Sequence, residues 1–234
     1  MNTDVFTGKA QFYKARPTYP DECIDFLIST FNLNENSVIA DIGAGTGILS
    51  IPFLERGMTV LSVEPNADMF NELKNNLSKC EKSFCYNTTA EVTTLNDKSC
   101  DLIVVGSALH WFDIERFRVE CERICDLKKV VILQIHNYFE SNKKSLNMPE
   151  YTDPCVKATK EFFGNLKIEE KRFEYELDYD QDRFINEYFS MGYAPLPKDE
   201  NFEITKEKLS KQYKKYYGEN SAKFPFLAQC FMTK

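Results

Sequence analysis

The first half of the chain alternates short apolar runs with segments of helical period. Residues 37–42 (SVIADI), 58–63 (MTVLSV), 101–106 (DLIVVG) and 129–135 (KVVILQI) are apolar at successive positions. That pattern predicts strands buried on both faces. Residues 83–88 predict one more strand, short and less apolar. Residues 46–56 read as a helix that Pro52 should bend. Asn66 is placed to cap a helix running to about Ser78, with Met69, Leu73 and Leu77 on one stripe. Asp113 is placed to cap another running to about Cys125. Strands of this kind alternating with helices predict a parallel sheet covered on both sides.

The pattern changes after about residue 140. Residues 153–163 read as a helix. Residues 170–179 (EKRFEYELDY) alternate charged and apolar positions, the mark of an antiparallel strand. Residues 182–191 are helical, with Phe184, Ile185, Tyr188 and Phe189 on one side. A turn-rich connector (194–200, APLPKDE) leads to a Lys- and Tyr-rich helix over 204–217 and a last strand over 225–232. The fold expected is α/β and Rossmann-like: five parallel βα units, then a mixed tail adding two strands to one edge.

Composition narrows the functional classes. A 234-residue chain with 43% hydrophobic residues supports one large domain without disulfide or metal staples. A net charge of −7 disfavours a broad phosphate-backbone binder. The eight cysteines include no Cys-x-x-Cys pair, and Cys121 and Cys125 lack companions at metal-ligand spacing. They read as reduced thiols of a cytoplasmic protein, with no metal site. The first twenty residues lack the apolar run of a signal peptide, and no stretch reaches the ~20 apolar residues of a membrane span. No apolar stripe is left over after the core is assigned, so a monomer is expected.

The chemistry concentrates at the ends of the predicted strands. The first runs into Asp41-Ile-Gly43-Ala-Gly45-Thr-Gly47 and then a helix. Glycines allow a sharp turn and close approach of backbone to ligand. The dinucleotide fingerprint spaces its glycines 1, 3, 6; here they fall at 1, 3, 5, with Ile48 at the sixth position. Glu64 ends the second strand, 21 residues after Gly43, where a carboxylate can accept both hydroxyls of a ribose. A nicotinamide-dependent oxidoreductase is disfavoured by that spacing. It is also disfavoured because no Tyr is followed four residues later by Lys.

These residues resemble the class I S-adenosylmethionine-dependent methyltransferases. The likeness is carried by DIGAGTG (41–47), VEPN (63–66), TAE (89–91), SALHWFD (107–113) and YKARPTYP (13–20). Within that family it resembles the small-molecule branch that includes trans-aconitate-type methyltransferases. It implies a seven-stranded sheet and S-adenosylmethionine as cofactor. It implies a helical cap over the cofactor from residues 1–36, a cofactor-binding core over 37–139, and lid helices with edge strands over 140–234. Asp41, Gly43, Ala44 and Gly45 would lie along the methionine end. Glu64 would hold the ribose, with Pro65, Asn66 and Met69 around the adenine. Ala90 and Glu91 would meet the adenine edge. Tyr13 and Arg16 would close over the site, Arg16 near the cofactor carboxylate, and Ser107 would line it. In place of the family's Leu-Lys-Pro-Gly-Gly turn stands Cys125-Asp-Leu-Lys-Lys129, away from the chemistry.

The acceptor side is expected beyond the fourth and fifth strands. The chain's two histidines, His110 and His136, both follow those ends. His110 can orient or deprotonate an acceptor, and Trp111 can wall its pocket or face a sulfonium. A carboxylate acceptor would need no base but would want cations nearby, for which Arg16 and Arg183 are candidates. The expected partner is thus a small-molecule acceptor, with a carboxylic acid as one class. A macromolecular acceptor and a non-catalytic cofactor-binding protein are the alternatives.

Overall fold

The computed structural model describes residues 4–137 and 154–234. Seven strands form one sheet: β1 (Val38–Ile42), β2 (Thr59–Val63), β3 (Ser83–Tyr86), β4 (Leu102–Gly106), β5 (Val130–Asn137), β6 (Ile168–Tyr179) and β7 (Ala222–Thr233). Their order is β3-β2-β1-β4-β5-β7-β6. The first five are parallel; β7 runs antiparallel to both β5 and β6. The two edge strands expected from the tail are therefore present. The chain reverses at β1, whose neighbours are β2 and β4, and this switch point opens a crevice at the strands' carboxyl ends.

The successive apolar residues of each strand divide between two cores. Ile39, Val104 and Leu133 face α1 (Asp21–Phe31) and α2 (Ser50–Glu55), meeting Ile24, Leu27 and Phe53. Ala40, Ile103, Val105 and Ile132 face α4 (Ile114–Ile124) and α5 (Pro154–Phe163), meeting Phe117, Cys121 and Phe162. Each fully buried aliphatic or aromatic side chain contributes ~1.5–3 kcal/mol of transfer free energy. Asn66 caps α3 (Ala67–Leu77), its Oδ1 accepting from the Asp68 and Met69 N–H groups at 3.1 Å each. Asp113 caps α4 through the Arg116 N–H. α6 (Gln181–Phe189) and α7 (Phe202–Tyr217) pack with the N-terminal segment and β7 through Phe12, Phe189, Phe202 and Tyr213.

Two expectations need correction. The helix predicted over 46–56 begins only at Ser50, because Gly45 and Gly47 hold positive φ (58° and 91°) and residues 46–49 form turns. The N-terminal cap over 1–36 divides in two. Residues 4–19 form a strap of 3₁₀ turns and extended chain, whereas α1 belongs to the layer against the sheet. Within the expected lid, residues 140–153 lie outside the described residues.

Candidate functional site

A cavity of about 940 Å³ lies over the carboxyl ends of β1, β2, β4 and β5. Its floor begins where β1 turns. Gly43 has φ +73°, and a Cβ there would stand 2.7 Å from the Ala108 Cβ. Only glycine satisfies both constraints. The Gly43 and Ala44 N–H groups bond to the Val63 carbonyl, so the loop folds back over β2. Ser107, just past β4, also holds positive φ (52°), a conformation costly for a residue with a Cβ.

Glu64 joins loop and strand. Its Oε2 accepts from the Gly45 N–H at 2.9 Å and its Oε1 from the Asn66 N–H at 2.8 Å. Burial pushes its carboxyl pKa up, and those two N–H groups partly offset the shift. Each carboxylate oxygen can accept further bonds, so the group can receive a pair of ribose hydroxyls while it braces the glycine loop. Asp41 lies deeper. Its Oδ2 accepts from the Ser50 hydroxyl at 2.6 Å, and its pKa is pushed up to about 7, first by burial and further by the charge of Glu64.

The site contains two buried polar atoms without a protein partner, Asp41 Oδ1 and Arg16 Nε. Both residues line the cavity. An orphaned carboxylate oxygen and an orphaned guanidinium nitrogen match an amino-acid end, whose ammonium would meet Asp41 and whose carboxylate would meet Arg16. With Glu64 at ribose position, the residues present fit S-adenosylmethionine.

The strap closes one side. Gly8 N–H donates to Asp68 Oδ2 at 2.8 Å, Asn66 Nδ2 to Thr7 Oγ1 at 3.2 Å, and the buried Lys9 ammonium to the carbonyl of Ala194. So held, the strap presents Phe6, Tyr13 and Arg16 to the cavity. Phe6 meets the Trp111 ring edge-on at 5.3 Å, and the Arg16 guanidinium lies 5.2 Å from the Tyr13 ring centroid.

The far end is built from the segment after β4, the end of β5 and the start of α5. His110 Nδ1 is 2.7 Å from Cys155 Sγ. His136 Nε2 is 3.2 Å from Gln134 Oε1. All four side chains belong to cavity-lining residues. Arg172 reaches the rim, paired with Glu170 at 2.5 Å.

The cavity wall thus brings together Tyr13, Arg16, Asp41, Gly43, Ala44 and Gly45 with Glu64, Pro65, Met69 and Ser107, as well as His110 and Trp111. Three expected residues stand outside it. Asn66 caps α3 and ties down the strap. Ala90 is buried in the core beside α4. Glu91 accepts the Asp113 N–H at 2.9 Å. Arg183 is also elsewhere. Its guanidinium covers the Tyr179 ring at 4.4 Å and donates to the carbonyls of Asp178 and Ala15. Sequence reasoning missed Phe6, Gln134, Cys155 and Arg172. Cys155 had the bland pattern of the other thiols, and Gln134 sat inside an apolar strand run.

Comparison with known proteins agrees with this geometry. Residues 40–133 match the family model described as a methyltransferase domain. An uncharacterised methyltransferase of Mycobacterium tuberculosis is 34% identical over 124 residues, 53% of this chain and 48% of that protein. One from Schizosaccharomyces pombe is 30% identical over 119 residues, 50% of this chain and 46% of that protein. The chain spans about half the length of these curated relatives. Among solved structures, one described as a type II methyltransferase from Anaeromyxobacter dehalogenans superposes with a TM-score of 0.64 at 16% identity, over 93% of this chain and 97% of that one. Another, described as a methyltransferase from an antibiotic biosynthesis pathway of Anabaena variabilis, gives 0.58 at 22% identity, over 92% and 98%. At such identities these structures speak for the fold. In sheet order, glycine loop, strand-end acid and the methyltransferase-domain match over residues 40–133, the chain is similar to the class I S-adenosylmethionine-dependent methyltransferases.

Proposed function

We propose that the protein transfers a methyl group from S-adenosylmethionine to a small-molecule acceptor. The carrying observation is that one cavity is lined both by Glu64, Asp41 and Arg16 and by His110 and His136. Its volume lies in the ~300–1,000 Å³ range usual for small-ligand sites. Bound there, S-adenosylmethionine would supply an electrophilic methyl carbon on a sulfonium sulfur. Glu64 holds the ribose hydroxyls; Asp41 and Arg16 hold the amino-acid end. Trp111, Phe6 and Tyr13 exclude water and fix the approach line. For an in-line displacement with a neutral leaving group, such alignment contributes up to ~7–11 kcal/mol.

A carboxylic acid as acceptor would draw on cations at the far end. Arg183 is engaged elsewhere, Arg172 is paired with Glu170, and Arg16 stands beside Tyr13 on the strap. We also read the protein as a cytoplasmic monomer. Its eight cysteines are all free thiols, which suits a reducing compartment, and no helix among the described residues is long and apolar enough to cross a membrane.

The test is transfer of label from S-adenosyl-[methyl-³H]methionine in a whole-cell extract, followed by ultrafiltration. Enzyme-dependent label in the small-molecule filtrate is the expected result. Label retained on protein or nucleic acid would overturn the small-molecule reading. No transfer, together with tight S-adenosylhomocysteine binding, would favour a non-catalytic cofactor-binding protein.

A further inference from the structure

We infer that Arg172 anchors an anionic group of the methyl acceptor, a carboxylate or phosphate set apart from the atom that receives the methyl. The inference rests on the methyltransferase reading above.

A row of polar side chains crosses three neighbouring strands. Gln134 of β5 stands opposite Gln229 of β7, and Gln229 stands opposite Arg172 of β6. Residues directly opposite in antiparallel strands share a face of the sheet. All three line the cavity. Two residues away on the same face, Ile132, Phe231 and Glu170 repeat the register. Ile132 and Phe231 belong to the apolar core under α4 and α5. The polar row therefore marks where this face stops being core and becomes cavity wall.

Glu170 fixes the outer end of the row. Its Oε1 accepts from Arg172 Nε and, at 2.7 Å, from Gln229 Nε2. Burial pushes the Glu170 carboxyl up, but these two donors more than offset that and hold its pKa below the ordinary value. The carboxylate thus stays charged and pins one edge of the guanidinium. Among the described residues, Arg172 Nη1 and Nη2 meet no hydrogen-bond or ion-pair partner. A guanidinium held at Nε keeps a fork of two terminal nitrogens, which matches two oxygens of a carboxylate or phosphate. Glu170 balances the charge at longer range, so the attraction is short-range and geometric. Of the residues of β6, Arg172 alone lines the cavity.

The row also sets a length. The cofactor-facing residues sit at the ends of β1, β2 and β4, and β6 lies three strands beyond β4. At the usual strand spacing that is about 14 Å. Even with the Arg172 side chain reaching inward, several bonds separate the anchored anion from the accepting atom. Met191 and Leu227 on the same wall suit an apolar middle. The acceptor class is an elongated small molecule with an anion at one end and the methylated atom at the other.

The experiment separates the small molecules of a cell extract on a strong anion exchanger at about pH 11, where amines no longer mask an anion. The retained and unretained fractions are each offered to the full chain with S-adenosyl-[methyl-³H]methionine. Label should enter the retained fraction, and the labelled product should itself be retained, because the anchoring anion is not the methylated group. The Arg172 side chain is 63% exposed, so solvent screens its contact. Arg172→Gln should therefore slow transfer about tenfold at limiting acceptor and recover at high acceptor, a KM effect with kcat kept. Arg172→Lys, which keeps the charge without the fork, should fall between. Both variants should bind S-adenosylhomocysteine within twofold of the parent, which also reports that they fold. Phosphatase treatment of the retained fraction distinguishes the sources of the anion: lost labelling marks a phosphate ester, unchanged labelling a carboxylate. Label confined to the unretained fraction, a product that runs through the exchanger, or Arg172→Gln within threefold of the parent at limiting acceptor would overturn the anchor. Failure of the parent to bind S-adenosylhomocysteine, or label in neither fraction, sinks the methyltransferase reading instead.

Discussion

Removing the Glu64 side chain should separate cofactor affinity from stability. In Glu64→Ala, the ribose hydroxyls lose an ionised acceptor. Two hydrogen bonds to a charged group contribute ~1.5–3 kcal/mol each. With water replacing roughly half of that, about 1.5–3 kcal/mol is lost, or ~10–100-fold in Kd. The folded protein feels opposing effects. The Gly45 and Asn66 N–H groups lose their acceptor, at ~1–3 kcal/mol for each that stays buried and unpaired. Against this, a carboxylate whose pKa burial has raised no longer has to be held charged in the interior. The expected net cost is about 1–2 kcal/mol, or ~2–8 °C in Tm for a chain of this size. Calorimetric titration with S-adenosylhomocysteine, with NAD as second ligand, reads the first effect; thermal unfolding reads the second. A folded Glu64→Ala protein that binds S-adenosylhomocysteine within threefold of the parent would refute the ribose contact. Preference of the parent for NAD would refute the cofactor assignment.

Four further outcomes are expected. Asp41, pushed up to about 7, binds a proton in the folded state that the unfolded chain releases near pH 4. Stability from this group is therefore greatest below pH 4 and falls as pH rises toward 7, by at most about 4 kcal/mol. Asp41→Asn should lack that fall in pH-dependent denaturant titrations. Conversely, S-adenosylhomocysteine should bind the parent more tightly as pH rises through about 7, because its ammonium favours ionised Asp41. Arg16→Ala should weaken S-adenosylhomocysteine binding ~10-fold or more yet leave binding of 5′-methylthioadenosine, which has no amino-acid end, unchanged; equal losses for both ligands would place Arg16 elsewhere. Gly43→Ala combines a positive φ with a methyl 2.7 Å from the Ala108 Cβ. It should lower Tm by ~4–12 °C, at ~2–4 °C per kcal/mol, and an unchanged Tm would show that the loop has room to relax.

The cofactor end was legible because its determinants are local. Asp41, Gly43 and Gly45 sit on one strand-to-helix turn, and Glu64 follows at the end of the strand paired directly beside it. The periodicity that located the strands located their ends, and ligands in open α/β sheets bind at those ends. Some local signals carried two uses. Asn66, expected both to cap a helix and to border the adenine, caps α3. Arg183 looked like an anion partner, but α6 turns it onto Tyr179 and the strap carbonyls. The helix over 46–56 was drawn too long because positive φ at glycine is invisible to hydrophobic periodicity.

The acceptor end was less legible for a different physical reason. His110 was found because it follows the end of a predicted strand, with Trp111 and Phe112 directly after it, yet its contact Cys155 lies 45 positions away. Gln134 is buried within a strand whose other inward positions are aliphatic. A lone amide there is costly unless both its ends are bonded, and the bonds come from α5 on one side and His136 on the other. Sequence periodicity registers such a residue as an interruption of an apolar run. Only the three-dimensional pairing shows that both ends of the amide are bonded. An amide kept in a core against its desolvation cost is best explained by the tie it makes between elements, here between β5 and α5.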